Sequence, residues 1–250
     1  MYINQRKKLS AARETAFIAL TCALMTGVQL ALSAVPGVEF VTVILLCTSY
    51  VFGARFGCLT GLAFSLLRCL LFGFYPAVVA VYCIYFPLFG LLFGTIGRGD
   101  DGGGLTFKLK ICVNLVLAAL SAAAFAAAAL ELIKVSRIYR DAVYAMLWAL
   151  GGIFTALTIA FDAVWLASRK KSGGERALRC FFVTALAALC TVAFTLIDDV
   201  VSPLILGLTQ RGALAYFYAS FTAMLPQTIC AVFSVGLMFT PLTHALKRAL

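Results

Sequence analysis

The chain has 250 residues, of which 63% are hydrophobic and only 12% charged. So little polar surface cannot cover a water-soluble globule, which excludes a soluble enzyme or soluble binding module and leaves an integral membrane protein. The net charge of +10 does not point to nucleic acid, because the basic residues fall in short loops and at the two ends, where membrane topology places them.

A bilayer core of about 30 Å takes about 20 apolar helical residues. Candidate spans run over 14–35, 39–54, 56–73, 77–97, 107–130, 142–167, 178–206 and 217–245. The expected fold is all-α, a polytopic helical bundle in a single transmembrane domain over 1–250, leaving almost no chain for a soluble domain. The second span is short and the third only slightly longer, which leaves tilted, broken or partly re-entrant paths open for both.

The basic start MYINQRKKLSAARE precedes an apolar run longer than a signal-peptide core, and no A-x-A-like site closes it. Glu14–Val35 therefore reads as a retained first helix. Ala12/Ala16 and Ala19/Ala23 in that helix, like Gly57/Gly61 and Gly90/Gly94 later, set small residues one turn apart. Such faces let helix backbones approach closely, either inside the bundle or against another membrane subunit.

The run from Pro36 to Phe74 sets Glu39 and Arg68 in two apolar segments joined by the tight turn VFGARFG. A charge deep in a spanning helix costs roughly 2.5–3.5 kcal/mol on insertion scales, so it is usually paired, solvated by a cavity, or used. After the fourth span, GRGDDGGGLTFKLK is glycine-rich and flexible, and AALSAAAFAAAAL in the fifth span is of low complexity. Neither there nor elsewhere is there a G-x-x-x-x-G-K-[ST] pattern, so any ATP-driven work by this route needs another polypeptide. The nine cysteines stand singly, with no C-x-x-C, and read as small apolar packers. No cofactor and no metal site are expected.

Excess Lys and Arg mark the cytoplasmic side. With eight spans, Arg6/Lys7/Lys8/Arg13, Arg55, Arg98/Lys108/Lys110, Arg169/Lys170/Lys171/Arg176/Arg179 and Lys247/Arg248 share one side, and both termini are cytoplasmic. One loop disagrees: Leu132–Asp141 carries Lys134, Arg137 and Arg140 and would face outward. Either it sits against something acidic or a middle span is drawn wrongly.

In that topology most intramembrane polarity gathers on the outer side. Glu39 opens the second helix there, and Arg68 lies roughly 8 Å below the outer end of the third. Gln29, Tyr82, Tyr85, Asp198, Asp199 and Gln227 fall in the outer halves of their helices, whereas Asp162 and His244 lie near cytoplasmic ends. Apolar walls with a few convergent polar groups are the composition of a small-molecule site. Gln29, Glu39, Arg68, Tyr82, Tyr85, Asp198, Asp199 and Gln227 are thus the candidate substrate-binding residues of an outward-facing pocket. The competing reading makes Glu39 and Arg68 a structural ion pair and Asp198 and Asp199 wet interfacial residues.

At four places the chain resembles the substrate-binding S components of energy-coupling factor (ECF) vitamin transporters. These are ETAFIALTCALMTGVQLAL, PGVEFVTVILLCTSYVFGARFGCLTGLAFSLL, YFPLFGLLFGTIGR and MLPQTICAVFSVGLMFTPLTHALKR. The resemblance covers about 12–98 and 178–248. It implies a cell-membrane protein that captures one vitamin-like micronutrient from outside. Its partners would be a transmembrane coupling protein and two cytoplasmic ATPase subunits that drive uptake. It also implies that an alanine face like Ala19 and Ala23 docks on the coupling protein. The family has six helices; here the core would be 14–97 and 178–245, and 107–167 would be an inserted helix pair. The basic loop between that pair would then cover the pocket or attract an anionic ligand.

Two other classes compete. A stand-alone secondary transporter or channel would need polar residues continuing through the inner leaflet or two matching halves. A membrane-embedded enzyme has less behind it. Asp198-Asp199 begins like a metal-diphosphate motif, but DDVVS lacks its third aspartate, and the single histidine excludes H-E-x-x-H. No enzyme activity and no catalytic residue are expected.

Overall fold

A computed structural model of the protein describes residues 10–35, 37–100, 107–131, 137–168 and 174–248. Arg6, Lys7, Lys8, Pro36, Lys134, Arg169, Lys170 and Lys171 lie outside the described residues, as do positions 101–106 of the glycine-rich loop. Among the described residues the structure has eight helices and no strand. They are α1 (Ala11–Ala31), α2 (Val41–Phe52), α3 (Ala54–Phe72), α4 (Pro76–Asp100), α5 (Phe107–Ala129), α6 (Arg137–Ser168), α7 (Gly174–Ile205) and α8 (Gln210–Arg248). Seven are long and apolar enough to cross a bilayer; α2, with 12 residues, is not. The chain is a multi-pass membrane protein built as a helical bundle.

The outer surface follows from that solvent. Leu70, Leu204 and Leu237 are 67%, 75% and 73% exposed, positions that would drive aggregation in water but meet side chains of equal polarity in lipid. Most hydroxyls inside the helices bond their own backbone one turn earlier. Thr21, Thr48, Thr191, Thr228 and Thr243 each donate to the carbonyl four residues back, which removes the cost of a polar group at depth.

Helix α8 begins seven residues before the apolar window at 217. Thr209 caps it, its Oγ1 accepting from the Gly212 N–H at 3.3 Å and its carbonyl from the Ala213 N–H at 2.8 Å. Gln210 and Arg211 are too polar for a hydropathy boundary but continue the helix without strain.

The chain divides into two compact units, one of Met1–Gly104 with Leu237–Leu250 and the other of Leu105–Gly236. In the first unit α1 and α3 run parallel. Glu14 meets Arg55 at 3.8 Å, Phe17 packs on Phe52 with ring centres 5.2 Å apart, and Cys22 Sγ lies 3.5 Å from the Thr60 carbonyl. Helix α4 returns antiparallel to α3 in backbone contact. A Cβ on Gly57 would strike the Gly90 carbonyl, one on Gly61 the Phe86 carbonyl, and one on Gly94 the Ala54 backbone. The glycine pairs thus serve packing within the bundle.

Between them, α2 is buried from Val41 through Val51 and turns into α3 at Gly53, whose φ of 104° few residues other than glycine adopt. At about 1.5 Å per residue it spans only about 18 Å. Before it, residues 32–35 and 37–40 are turns and irregular chain.

In the second unit α5 and α6 are antiparallel and joined at four levels. Asn114 Nδ2 donates to Asp162 Oδ1 at 2.7 Å, Ser121 and Thr155 hydroxyls meet at 2.6 Å, and the Phe125 and Trp148 rings are 5.3 Å apart. At the far end Arg140 forks onto both Glu131 oxygens at 2.5 and 2.6 Å. That pair ties the residue before positions 132–136 to the first turn of α6. Its hydrogen bond also holds the Arg140 proton more firmly than usual.

Candidate functional site

Gln29, Glu39, Arg68, Tyr82 and Tyr85 belong to the first unit, and Asp198, Asp199 and Gln227 to the second. Of the first five, Gln29, Glu39, Arg68 and Tyr82 gather in one polar layer and Tyr85 lies deeper. From the contact between Cys22 and Thr60, Gln29 is seven residues further along α1 and Arg68 eight further along α3. Both therefore climb roughly 10–12 Å to the same level. From the α4 side, the Ser65 hydroxyl reaches the Tyr82 carbonyl at 2.8 Å, and three residues on, the Arg68 guanidinium carbon stands 3.9 Å from the Tyr82 ring centre. Phe72 flanks the same guanidinium at 5.5 Å. A guanidinium against aromatic faces this close is held by cation–π attraction, which gains strength where water is excluded.

Glu39 sits in the irregular chain just before α2, half-buried and near enough to the Arg68 guanidinium to feel its charge. Tyr85 lies one turn deeper than Tyr82, its ring on Phe86 and Phe89 at 5.4 and 5.8 Å.

Seven buried side-chain atoms have no hydrogen-bond partner among the described residues, and five belong to this unit: Thr26 Oγ1, Gln29 Oε1, Ser49 Oγ, Thr60 Oγ1 and Arg68 Nε. Buried polar atoms are nearly always satisfied, so each of these is a position with bonding capacity to spare. Thr60, Thr26 and Gln29/Arg68 lie at successively higher levels of the α1–α3 contact, and Ser49 Oγ lies lower, against Gly57. Arg13, Arg55 and Arg98 sit at the opposite end, at the starts of α1 and α3 and the finish of α4.

In the second unit Asp198 and Asp199 lie near the end of α7. Ser202 and Tyr216 donate to Asp198 at 2.7 and 2.8 Å, and Ser220 donates to Asp199. Ser202 was legible from the sequence as the residue one turn after Asp198, but no spacing rule connects Tyr216 or Ser220 to it across the α7–α8 connection. Gln227 is seven residues beyond Ser220, roughly 10 Å further along α8, and is half-buried. Ala19 and Ala23 are exposed on α1, in one stripe with Ala12, Ala16 and Gly27. No group of three or more His, Cys, Asp or Glu residues that could hold a metal occurs among the described residues. Comparison with protein-family models, with characterised proteins and with solved structures returned no match.

Proposed function

We propose that the protein is the substrate-binding membrane subunit of an ECF-type importer, binding a vitamin-like micronutrient in the layer formed by Gln29, Glu39, Arg68 and Tyr82. The observation that carries this reading is that Gln29 Oε1 and Arg68 Nε, both buried and without a hydrogen-bond partner among the described residues, share one level of the first unit at the end opposite Arg13, Arg55 and Arg98. Positive residues favour the cytoplasm, so that layer opens outward from a cell membrane, with both termini inside. Arg68 offers Nε and a stacked guanidinium, Gln29 a carbonyl oxygen. Together they suit a small planar or part-apolar molecule that carries both an acceptor and a donor.

The exposed stripe through Ala19 and Ala23 supports docking on a coupling protein, with two ATPase subunits supplying the energy. The test is to purify the protein from rich medium and identify extracted small molecules by mass spectrometry. A single vitamin-like compound at near one per chain is expected; an empty protein that also fails to bind any vitamin added back would sink the reading. Replacing Ala19 and Ala23 by Phe should spare that compound but break complex formation, and uptake surviving in full would remove the docking assignment.

One observation favours a second reading, a stand-alone secondary transporter. Polar groups of the second unit occur at several levels, from Asn114/Asp162 through Ser121/Thr155 to Asp198/Asp199. Uptake by proteoliposomes holding this chain alone, without ATP, would decide for it.

A further inference from the structure

Among the described residues, the hydrogen bonds that reach the Asp198 and Asp199 carboxylates come from hydroxyls. Ser202 and Tyr216 donate to the two oxygens of Asp198, and Ser220 to Oδ1 of Asp199. Asp199 is 6% exposed, and its Oδ2 has no hydrogen-bond partner among the described residues. Among those residues no Lys or Arg pairs with either carboxylate. Pro203, inside α7, lacks the N–H that would have closed the helix on the Asp199 carbonyl, so that oxygen also loses its intrahelical donor.

Two adjacent carboxylates in a spanning helix, offered three neutral hydroxyls, keep an uncompensated negative charge in a poorly solvated place. A positive group removes that charge and completes the bonding. Protonation of Asp199 would also remove that charge, which makes the proton a competitor of any bound cation.

We propose that Asp198 and Asp199 with Ser202, Tyr216 and Ser220 form a binding site for one monovalent cation, an alkali-metal ion or a primary ammonium. All the available ligands are oxygens, which suits hard cations and ammonium groups. A helix carbonyl freed by proline is also among the groups with which membrane helices coordinate alkali ions. Hydroxyls can turn their protons away and present lone pairs to the ion, so Ser220 serves Asp199 when the site is empty and the cation when it is filled. A donor set of two carboxylates and neutral hydroxyls suits a singly charged ion better than a divalent one, which takes many oxygens or keeps its own waters. The site stands whether or not the first unit binds a micronutrient.

The test uses the full chain in detergent, with N-methylglucamine chloride as a background cation too bulky to enter. Lithium, sodium, potassium or methylammonium chloride is titrated in while the thermal midpoint is followed. A saturable rise with one alkali ion assigns the site to a free ion, and a rise with methylammonium alone assigns it to the ammonium group of an organic molecule. In either case Asp199→Asn should weaken the apparent affinity at least about tenfold, and Ser220→Ala roughly tenfold, the weight of one hydrogen bond to a charged group. No saturable rise with any of the four salts overturns the proposal. So does an undiminished rise in Asp199→Asn or, where that variant does not fold, in Ser220→Ala.

Discussion

Between α3 and α4 the contact is backbone on backbone, with Gly57, Gly61, Gly90 and Gly94 each facing main-chain atoms of the other helix. Between α5 and α6 it is side chain on side chain, through Asn114–Asp162, Ser121–Thr155 and Glu131–Arg140. The first kind of contact is closer and depends on dispersion between fitted surfaces; the second consumes polar groups to hold helices together. Where helices are joined by glycine, polar side chains are not needed for cohesion, and those present are left to other tasks. Among the described residues the first unit accordingly holds five of the seven buried polar atoms without partners, whereas α5 and α6 commit polar side chains to pairs.

Substitutions can break that contrast at its strongest point. Gly90→Leu should cost about 3 kcal/mol or more, since the new side chain has only the backbone of Gly57 to displace. Gly152→Leu, where a Cβ meets open space, should stay within about 0.5 kcal/mol. Thermal unfolding in the same detergent checks both, and equal losses would show that the glycines do not mediate the contact.

Next in size is a change in binding rather than in stability. Arg68→Ala should weaken ligand affinity roughly 10–100-fold by leaving Glu39 without its nearby guanidinium and the ligand without a donor. The thermal midpoint should fall far less than in Gly90→Leu, and a variant that instead unfolds while retaining affinity would make Arg68 a structural residue.

A smaller effect separates the second unit. A double-mutant cycle on Asn114→Ala and Asp162→Ala should give a coupling of about 0.5–1.5 kcal/mol in stability and none in affinity for the co-purified compound. Smallest of all, Glu131→Gln should leave the thermal midpoint almost unmoved at any salt concentration, because both partners of the Arg140 pair are exposed. A large loss there would mean that the ion pair, and not the polar contacts deeper in α5 and α6, holds these helices together.

Hydropathy made the eight helices legible to within a few residues at most ends, since a bilayer imposes a length and a polarity on every crossing. It located the start of α8 poorly, because Gln210 and Arg211 lie in a helix whose first turns are not apolar. The shortness of α2 was visible in the sequence, but not that its residues are buried on every side, which depends on neighbours from α1, α3 and α4. At the site, Arg68 stood out as a charge in an apolar run. Its seat over Tyr82 did not, because the 3.9 Å contact arises from the level at which α3 and α4 meet. Glycine spacing marked a close approach between helices, yet spacing alone could not say which helix would fill it.

The most direct measurement is native mass spectrometry of the wild type beside Arg68→Ala, each purified from the same rich medium and matched for thermal midpoint. Binding in the Gln29–Glu39–Arg68–Tyr82 layer predicts one small organic molecule per wild-type chain and an empty, folded variant. Equal occupancy in the two proteins would contradict it and place the ligand elsewhere.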